Sequence, residues 1–523
     1  MEIYEAQNRI PNVPDSRNNS WVSENLWGHR IERQPCQLLL LEFLSMAEGM
    51  HRLERLLDPA HTPASVSYRP YLSTQLRNIL FKNAMIGEIL REYEDTDEAW
   101  NQWFDSMAGA IANDSSLTDF TYLKNRFGSF KTFASIVNLL SRISIPEIGA
   151  KQWNHMRIHP IGPAAYYDER NKDFKTTRVQ FTRTGELAYL MLARSSVCKE
   201  ENKKSFEGAF KLDAPKNRLL CSLMRDGKPD LSDSDKTGTY LPYKAHPSFD
   251  LLAEDIAALF KLRMPAPDTF RHLAPLLAFH VMLYQLRTSG MVLGFEGPPP
   301  IVCEILAPKS SQVRKASIES LINNESLALQ ALEQYCKTVE SASPGIGRIL
   351  KEDDPGESST VESYREALSK ALSINPNKVP TAGITIEEVR SRLFEAVQKD
   401  YRDSAGDGLR SMSDESGLRS RIKTRQHRYC PSDQFLRNMV YLNVTTPMKE
   451  TTFLAILHRR YGIVIGAEEA GIPGVLSAAL LQKSEFEKNS ERLMSRLIAM
   501  GLARRMSDSF TYIINPISQQ HAP

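Results

Sequence analysis

No long apolar run interrupts this chain. Runs such as Leu38–Leu41, four residues, fall far short of the ~18–20 that a membrane-spanning helix needs, so no membrane partner is expected. The N-terminal stretch MEIYEAQNRIPNVPDS lacks the apolar centre of a secretory signal. Cysteine is sparse: Cys36, Cys198, Cys221, Cys303, Cys336 and Cys430 are scattered through 523 residues with no CxxC spacing. Such thiols exclude a disulfide framework and read as reduced side chains of a cytoplasmic protein. Net charge is only +2, so bulk electrostatics do not select a polyanionic partner. Also missing are GxxxxGK[ST], a GxGxxG at a strand–helix junction, GxSxG and HExxH. Without a phosphate cradle, nucleophile elbow or zinc helix, no residue is assigned a catalytic role, and no cofactor or metal is expected.

What is present is ordinary globular composition, 41% hydrophobic and 24% charged, in a chain long enough for three or four folded units. Single cores stop growing near ~250–300 residues. Residues 1–20, with Pro11, Pro14 and an Asn/Ser-rich end, read as a flexible arm. Residues 21–145 form an N-terminal helical domain, with amphipathic patterns over Gln37–Leu57, Pro70–Tyr93 and Phe120–Ile143, the last broken near Gly128. Residues 146–245 read as a small α+β domain. Thr176–Arg183 alternates like a half-buried strand, Thr184-Gly185 turns the chain, and Glu186–Leu192 returns as a strand or begins a helix. Lys199–Lys204 and Arg225–Thr239 read as loops. A second helical domain, 246–401, contains Ser248–Leu262, the very apolar Pro267–Arg287, Ser310–Val339 and Thr385–Tyr401, with a linker-like Ser341–Thr360. Residues 402–430 form a linker that turns basic, RSRIKTRQHR at Arg419–Arg428, and 431–523 a final domain.

That last domain carries the clearest pattern. Asp433–Tyr441 and Lys449–Tyr461 are helical, the second with Phe453, Leu454, Leu457 and Tyr461 inward; Gly471–Gly474 turns, and Val475–Gln482 reads as a short helix. Ser484 and Glu487 have capping-box spacing. Phe486, Leu493, Leu497 and Met500 then fall on one helical face, widened by Met494 and Ile498. Gly501 is placed to end the helix in a left-handed conformation. Two strand-like runs, Leu502–Met506 and Phe510–Ile514, flank the turn Ser507-Asp508-Ser509.

The segment from about Asp433 to Pro516 resembles winged helix–turn–helix domains, on the residues FEKNSERLMSRLIAMGLARRMSDSFTYIINP. The expected fold class is therefore mainly α and multidomain: helical bundles with a small α+β insert and a C-terminal winged helix domain. The resemblance makes the Ser484–Met500 helix the recognition element. Lys488, Arg492 and Arg496 then form a stripe at i, i+4, i+8, and Arg504 and Arg505 enter the wing. Glu485, Glu487 and Glu491 interrupt that stripe. The helical remainder faintly resembles uncharacterised helical subunits of bacterial phage-defence systems, which implies protein partners in a complex.

Charge distribution points to the same end of the chain. From Leu409 onward there are 16 Lys+Arg against 10 Asp+Glu, which leaves 49 against 53 before it. Arg421, Lys423, Arg425 and Arg428 of the basic linker join the five helix and wing residues as candidate nucleic-acid contacts, with duplex DNA the candidate partner. The expected function is a non-catalytic DNA-binding or scaffold subunit. A purely protein-docking subunit is one alternative. Another is a metal-dependent nuclease on the α+β domain, using Asp213 with Lys216, or Asp230, Asp233 and Asp235 with Lys236. His155 and His159, at i, i+4, have metal-ligand spacing but no intervening Glu, and Pro160 follows, so they read as structural. His280, within an apolar helix, reads as a hydrogen-bonded core residue. If the linkers are open to protease, trypsin releases a C-terminal fragment beginning near Arg421–Tyr429.

Overall fold

The computed structural model describes residues 2–3, 22–28, 31, 33–58, 65–66, 79–80, 85–110, 119–143, 183–210, 218–219, 221–223, 239–351, 358–379, 384–404, 406–419, 427–505 and 511–520. The described chain is mainly helical. Near its start, α1 (Val22–Trp27) and α2 (Cys36–Arg52) are buried helices. Next, α3 (Ile86–Tyr93), α4 (Asp97–Ala110), α5 (Thr121–Phe127) and α6 (Phe130–Ile143) enclose an aromatic core of Trp100, Trp103, Phe120, Phe130 and Phe133. The expected break at Gly128 is present, with a φ of +66°.

α7 (Thr184–Ala193) is a helix buried along its whole length. Its first turn is capped from outside: the Glu42 carboxylate accepts from the backbone N–H groups of Arg183, at 2.9 Å, and Gly185, at 2.8 Å. A Cβ at Gly185 would lie 2.1 Å from the Leu39 carbonyl oxygen, so glycine is what lets α2 and α7 touch. Lys199–Lys204, expected as loop, begins α8 (Lys199–Phe210) instead. Phe206 and Phe210, at i, i+4, bury one face and leave the lysines outside. Arg183 adopts φ +64° ahead of α7; the rest of the expected strand, Thr176 to 182, lies outside the described residues.

Four short strands, β1 (Glu2–Ile3), β2 (Ser65–Val66), β3 (Thr239–Tyr240) and β4 (Tyr243–Ala245), pair antiparallel as β1–β4 and β2–β3. Residues 2–3 of the expected flexible arm are thus tied to β4. α9 (Pro247–Lys261) and α10 (Ala266–Val292) follow. α10 is apolar on every side, with Leu273, Leu277, Phe279, Val281, Leu283 and Leu286 buried, which suits a helix surrounded by others. β5 (Ile301–Val302) leads into α11 (Gln312–Ala342), then α12 (Pro344–Ile349), α13 (Ser358–Leu372) and α14 (Ile386–Ser404). Ile386, Val389, Leu393 and Val397 face inward on α14, as their spacing requires.

The stretch 402–430, expected as a linker, is part of the body where it is described. α15 (Gly408–Glu415) packs against α10, and Leu409, Met412, Leu418 and Tyr429 are buried. The expected linker Ser341–Thr360 likewise contains α12, with Ile346 buried, and the start of α13. Nor do the apolar cores follow the boundaries at 145 and 245. One cluster takes in α1, α2, α7, α9, α10 and residues as late as Ile513, whereas α3–α6 keep their own.

The C-terminal elements are α16 (Asp433–Asn443), β6 (Met448–Lys449), α17 (Glu450–Tyr461), β7 (Ile463–Val464), α18 (Ala467–Ala470), α19 (Lys483–Ala499), β8 (Ala503–Arg505), β9 (Thr511–Ile513) and α20 (Pro516–Gln520). β6, β9 and β8 form one antiparallel sheet with β9 central, while β7 pairs parallel with β5. Val475–Gln482, expected as a short helix, is a series of turns.

Candidate functional site

The C-terminal elements are seated by specific polar contacts. Ser432 caps α16, its Oγ accepting from the Phe435 N–H. α19 begins at Lys483, one residue before Ser484, with no side-chain cap, so the expected Ser484–Glu487 capping box is not formed. Phe486, Leu493, Met494 and Leu497 are buried as expected, but Ile498 is 43% exposed. The inward position that spacing missed is Asn489. Its Nδ2 donates to the carbonyls of Cys303 and Ile465, each at 3.0 Å, and its Oδ1 accepts from the Ile305 N–H at 2.8 Å. One amide thus joins α19 to the chain on both sides of the β5–β7 pair. Gly501 ends the helix with φ +72°, and the Leu502 N–H donates back to the Leu497 carbonyl.

α17 is anchored by a buried network. The Asp255 carboxylate accepts from Tyr461 and Arg460 and lies 2.9 Å from His280 Nε2; Arg460 also reaches Glu254 at 2.7 Å. His280 is therefore the hydrogen-bonded core histidine expected from its helix. Burial raises the Tyr461 phenol well above its ordinary range, with the Asp255 charge adding to it.

The candidate cations fare differently. Arg428 is buried and ion-paired to Glu304, itself fully buried. That corrects its assignment as a nucleic-acid contact: its charge is spent inside the body. Arg496 donates to Asp433 at 2.7 Å and to the Pro431 carbonyl at 3.0 Å, which makes it a brace between α19 and α16. Arg492 is half-buried, with Nη1 enclosed. Lys488 is exposed and 3.3 Å from Glu485, whose carboxyl is held below its usual range first by the Ser311 hydroxyl and then by Lys488. The i, i+4, i+8 stripe is therefore not one open surface. Arg504 and Arg505 are exposed on β8, and neither makes an ion pair with a described residue. Arg421, Lys423, Arg425 and the turn Ser507–Ser509 lie outside the described residues, as do His155, His159, Asp213, Lys216, Asp230, Asp233, Asp235 and Lys236.

Strand register adds two residues that the sequence pattern did not single out. Tyr512 on β9 stands opposite Lys449 on one side and Arg504 on the other. Lys449 and Arg504 are exposed and Tyr512 is partly buried, whereas Ile513 and Ala503 in the next row are buried. The sheet thus presents Lys449, Tyr512 and Arg504 side by side on its outer face.

Elsewhere, a groove of about 430 Å³ opens between α11 and the turns at Gly474–Leu480, over Phe295, Pro299 and Pro300. Glu319 is its one charged lining residue, so it offers an anion no cationic partner. Among the described residues there is no group of three or more His, Cys, Asp or Glu able to hold a metal, and no helix long and apolar enough to cross a membrane. All six cysteines are free thiols. The chain matches no protein-family model, no curated protein and no solved structure.

Proposed function

We propose that this chain is a non-catalytic DNA-binding subunit of a larger bacterial assembly, of phage-defence type, whose C-terminal winged helix domain tracks the phosphates of duplex DNA. The order α16, β6, α17, β7, α18, α19 and the β8–β9 hairpin, with the strand order β6–β9–β8, supports the winged helix reading. The observation that carries the DNA reading is the pair Arg504 and Arg505, exposed on the hairpin directly after α19 and without ion-pair partners among the described residues. The outward positions of α19 mix Lys488 with Glu487 and Glu491, a surface poorly suited to reading base edges. Phosphate contact through the wing, with Lys488 in support, needs no base readout. The helical body then serves as the platform that meets the protein partners.

The test is charge reversal in the full chain, Lys488→Glu, Arg504→Glu and Arg505→Glu together, with duplex binding measured across a salt series. Three lost phosphate contacts lower the slope of log K against log salt by about 2.7, at ~0.9 each. Arg496 is left intact because it braces α16. A variant that keeps its far-UV circular dichroism and binds duplex with unchanged affinity and slope refutes the proposal. Protein docking then becomes the leading account, favoured by the exposed Ile498 on α19. The candidate residues of the nuclease alternative lie outside the described residues.

A further inference from the structure

We infer that the groove between α11 and the turns at Gly474–Leu480 binds an extended peptide segment of a protein partner, with Glu319 pairing a lysine or arginine of that segment. The inference rests on the protein-partner part of the reading above and not on DNA contact. Glu319, Asn323, Ser326 and Gln330 all line the groove and stand at i, i+4, i+7 and i+11 on α11, so one helix face forms its floor. That run, at ~1.5 Å per residue, spans about 16 Å, the reach of roughly five extended residues at ~3.3 Å each. The walls are held by the body itself. Ser320 Oγ and Asn324 Nδ2 donate to the Pro300 carbonyl at 2.9 and 3.2 Å, and Ser320 Oγ accepts from the Val302 N–H at 3.1 Å, which ties Pro299–Pro300 to α11. The turns are seated through Val475, Leu476 and Leu480, which pack against a small core around Val302, Val313 and Phe486.

The groups left unspent select the ligand. Glu319 and Asn323 are exposed, and neither side chain bonds to a described residue. Gln330 Nε2 donates to Ser326 Oγ at 3.0 Å, which leaves its carbonyl oxygen open. An amide side chain carries a donor and an acceptor in one plane, the complement of the C=O and N–H that an extended peptide presents. With Glu319 the one charge in the lining, a phosphate or carboxylate meets repulsion and no cation, whereas a lysine or arginine meets its counter-charge. Phe295, 44% exposed, supplies apolar surface with Pro299 and Leu480 for the neighbouring side chains. A helix ~10 Å across and ~16 Å long fills roughly 1,200 Å³. The groove holds about 430 Å³, which favours a segment that enters extended.

The experiment selects a phage-displayed library of random heptapeptides on the full chain, without DNA, and then titrates the most enriched sequence as a labelled synthetic peptide. Enriched sequences share a lysine or arginine beside apolar residues, and Glu319→Lys shifts that position to aspartate or glutamate. In titration Glu319→Gln weakens binding about two- to fivefold, the loss of an exposed ion pair. Asn323→Ala weakens it about two- to tenfold, the loss of one or two hydrogen bonds. Ser477→Trp, at an exposed lining position, fills the groove and abolishes binding. Far-UV circular dichroism stays at wild type in all four variants, because none of these side chains holds the body together. No enrichment above that on the Ser477→Trp chain overturns the inference. The same sequences enriched on Glu319→Lys also overturn it. So does a dimer in light scattering that Ser477→Trp dissociates, which would give the groove to a second copy. Groove-dependent peptide binding without duplex binding upholds this inference and refutes the DNA reading; duplex binding without peptide enrichment does the reverse.

Discussion

Asn489 ties α19 to backbone groups of two other segments, and its removal has a calculable cost. Asn489→Ala deletes two donated hydrogen bonds and one accepted bond, at 3.0, 3.0 and 2.8 Å, in a site with no solvent exposure. Each buried backbone group left without a partner costs ~1–3 kcal/mol. Three such groups set a ceiling near ~9 kcal/mol, but a water entering the vacated space restores part of it, so a loss of about 3–5 kcal/mol is expected. Asn489→Asp is the sharper control. It keeps the shape and the acceptor for Ile305, yet turns a carboxylate oxygen toward two carbonyls. It should be at least as damaging as the alanine. Urea unfolding followed by hydrogen exchange reads the effect locally, since peptides covering 301–306 and 483–499 should lose protection together while those covering α3–α6, with their separate core, should not. If both variants leave protection and midpoint at wild-type values, Asn489 does not hold the two segments, and the seating must come from apolar packing alone.

Two further outcomes follow from buried contacts. Burial, and then the neighbouring Glu186 charge, push the Glu42 carboxyl up to about 8, against an ordinary 4.5. A raised folded-state value means its stabilising contribution is full below the unfolded value and is lost as pH rises through about 8. The urea midpoint should therefore fall between pH 5 and pH 9 in the wild type and fall less in Glu42→Gln; parallel profiles would refute this. If trypsin cuts within residues 420–426, the C-terminal fragment should co-elute with the remainder on gel filtration and separate only in denaturant, because Asn489, Tyr461 and Arg428 bind groups on the other side of the cut. Free release under native conditions would refute that.

Legibility in the sequence followed the range of the forces involved. Helices with a clear apolar stripe were placed well: α14 by Ile386, Val389, Leu393 and Val397, and α17 by Phe453, Leu454, Leu457 and Tyr461. Gly501 declared the end of α19 because a left-handed residue is needed there. What failed depended on distant partners. Arg428 looked like a free cation because Glu304, which neutralises it, is 124 positions away. Residues 402–419 looked like a linker because Ser, Gly and charge dominate locally, although Leu409 and Met412 find α10. Asn489 broke the apolar stripe of α19 in sequence and proved to be its most constrained position. The row Lys449, Tyr512, Arg504 was invisible because a two-residue strand has no period to read; only pairing reveals that the three share a face.

The same long-range contacts constrain what the C-terminal module can do. A DNA-reading module on a flexible tether reports only that it has bound, since its orientation relative to the rest of the chain is free. Here α16 meets α10 through Phe435 and Phe279, with ring centroids 5.0 Å apart, and α17 meets α9 and α10 through Tyr461, Arg460 and Asp255. α19 is held through Asn489 to residues 303–305, just ahead of α11. Three helices of the module are therefore fixed independently to the body, by an aromatic contact, an ionic network and an amide clamp. Breaking any one leaves two. A ligand held by the β8–β9 hairpin would consequently be presented at a set angle to α10 and α11, and a partner docked on the body would meet it in one geometry. That favours a subunit whose task is to position nucleic acid for something else in an assembly, which is the part of the proposal that a freely hinged winged helix could not perform.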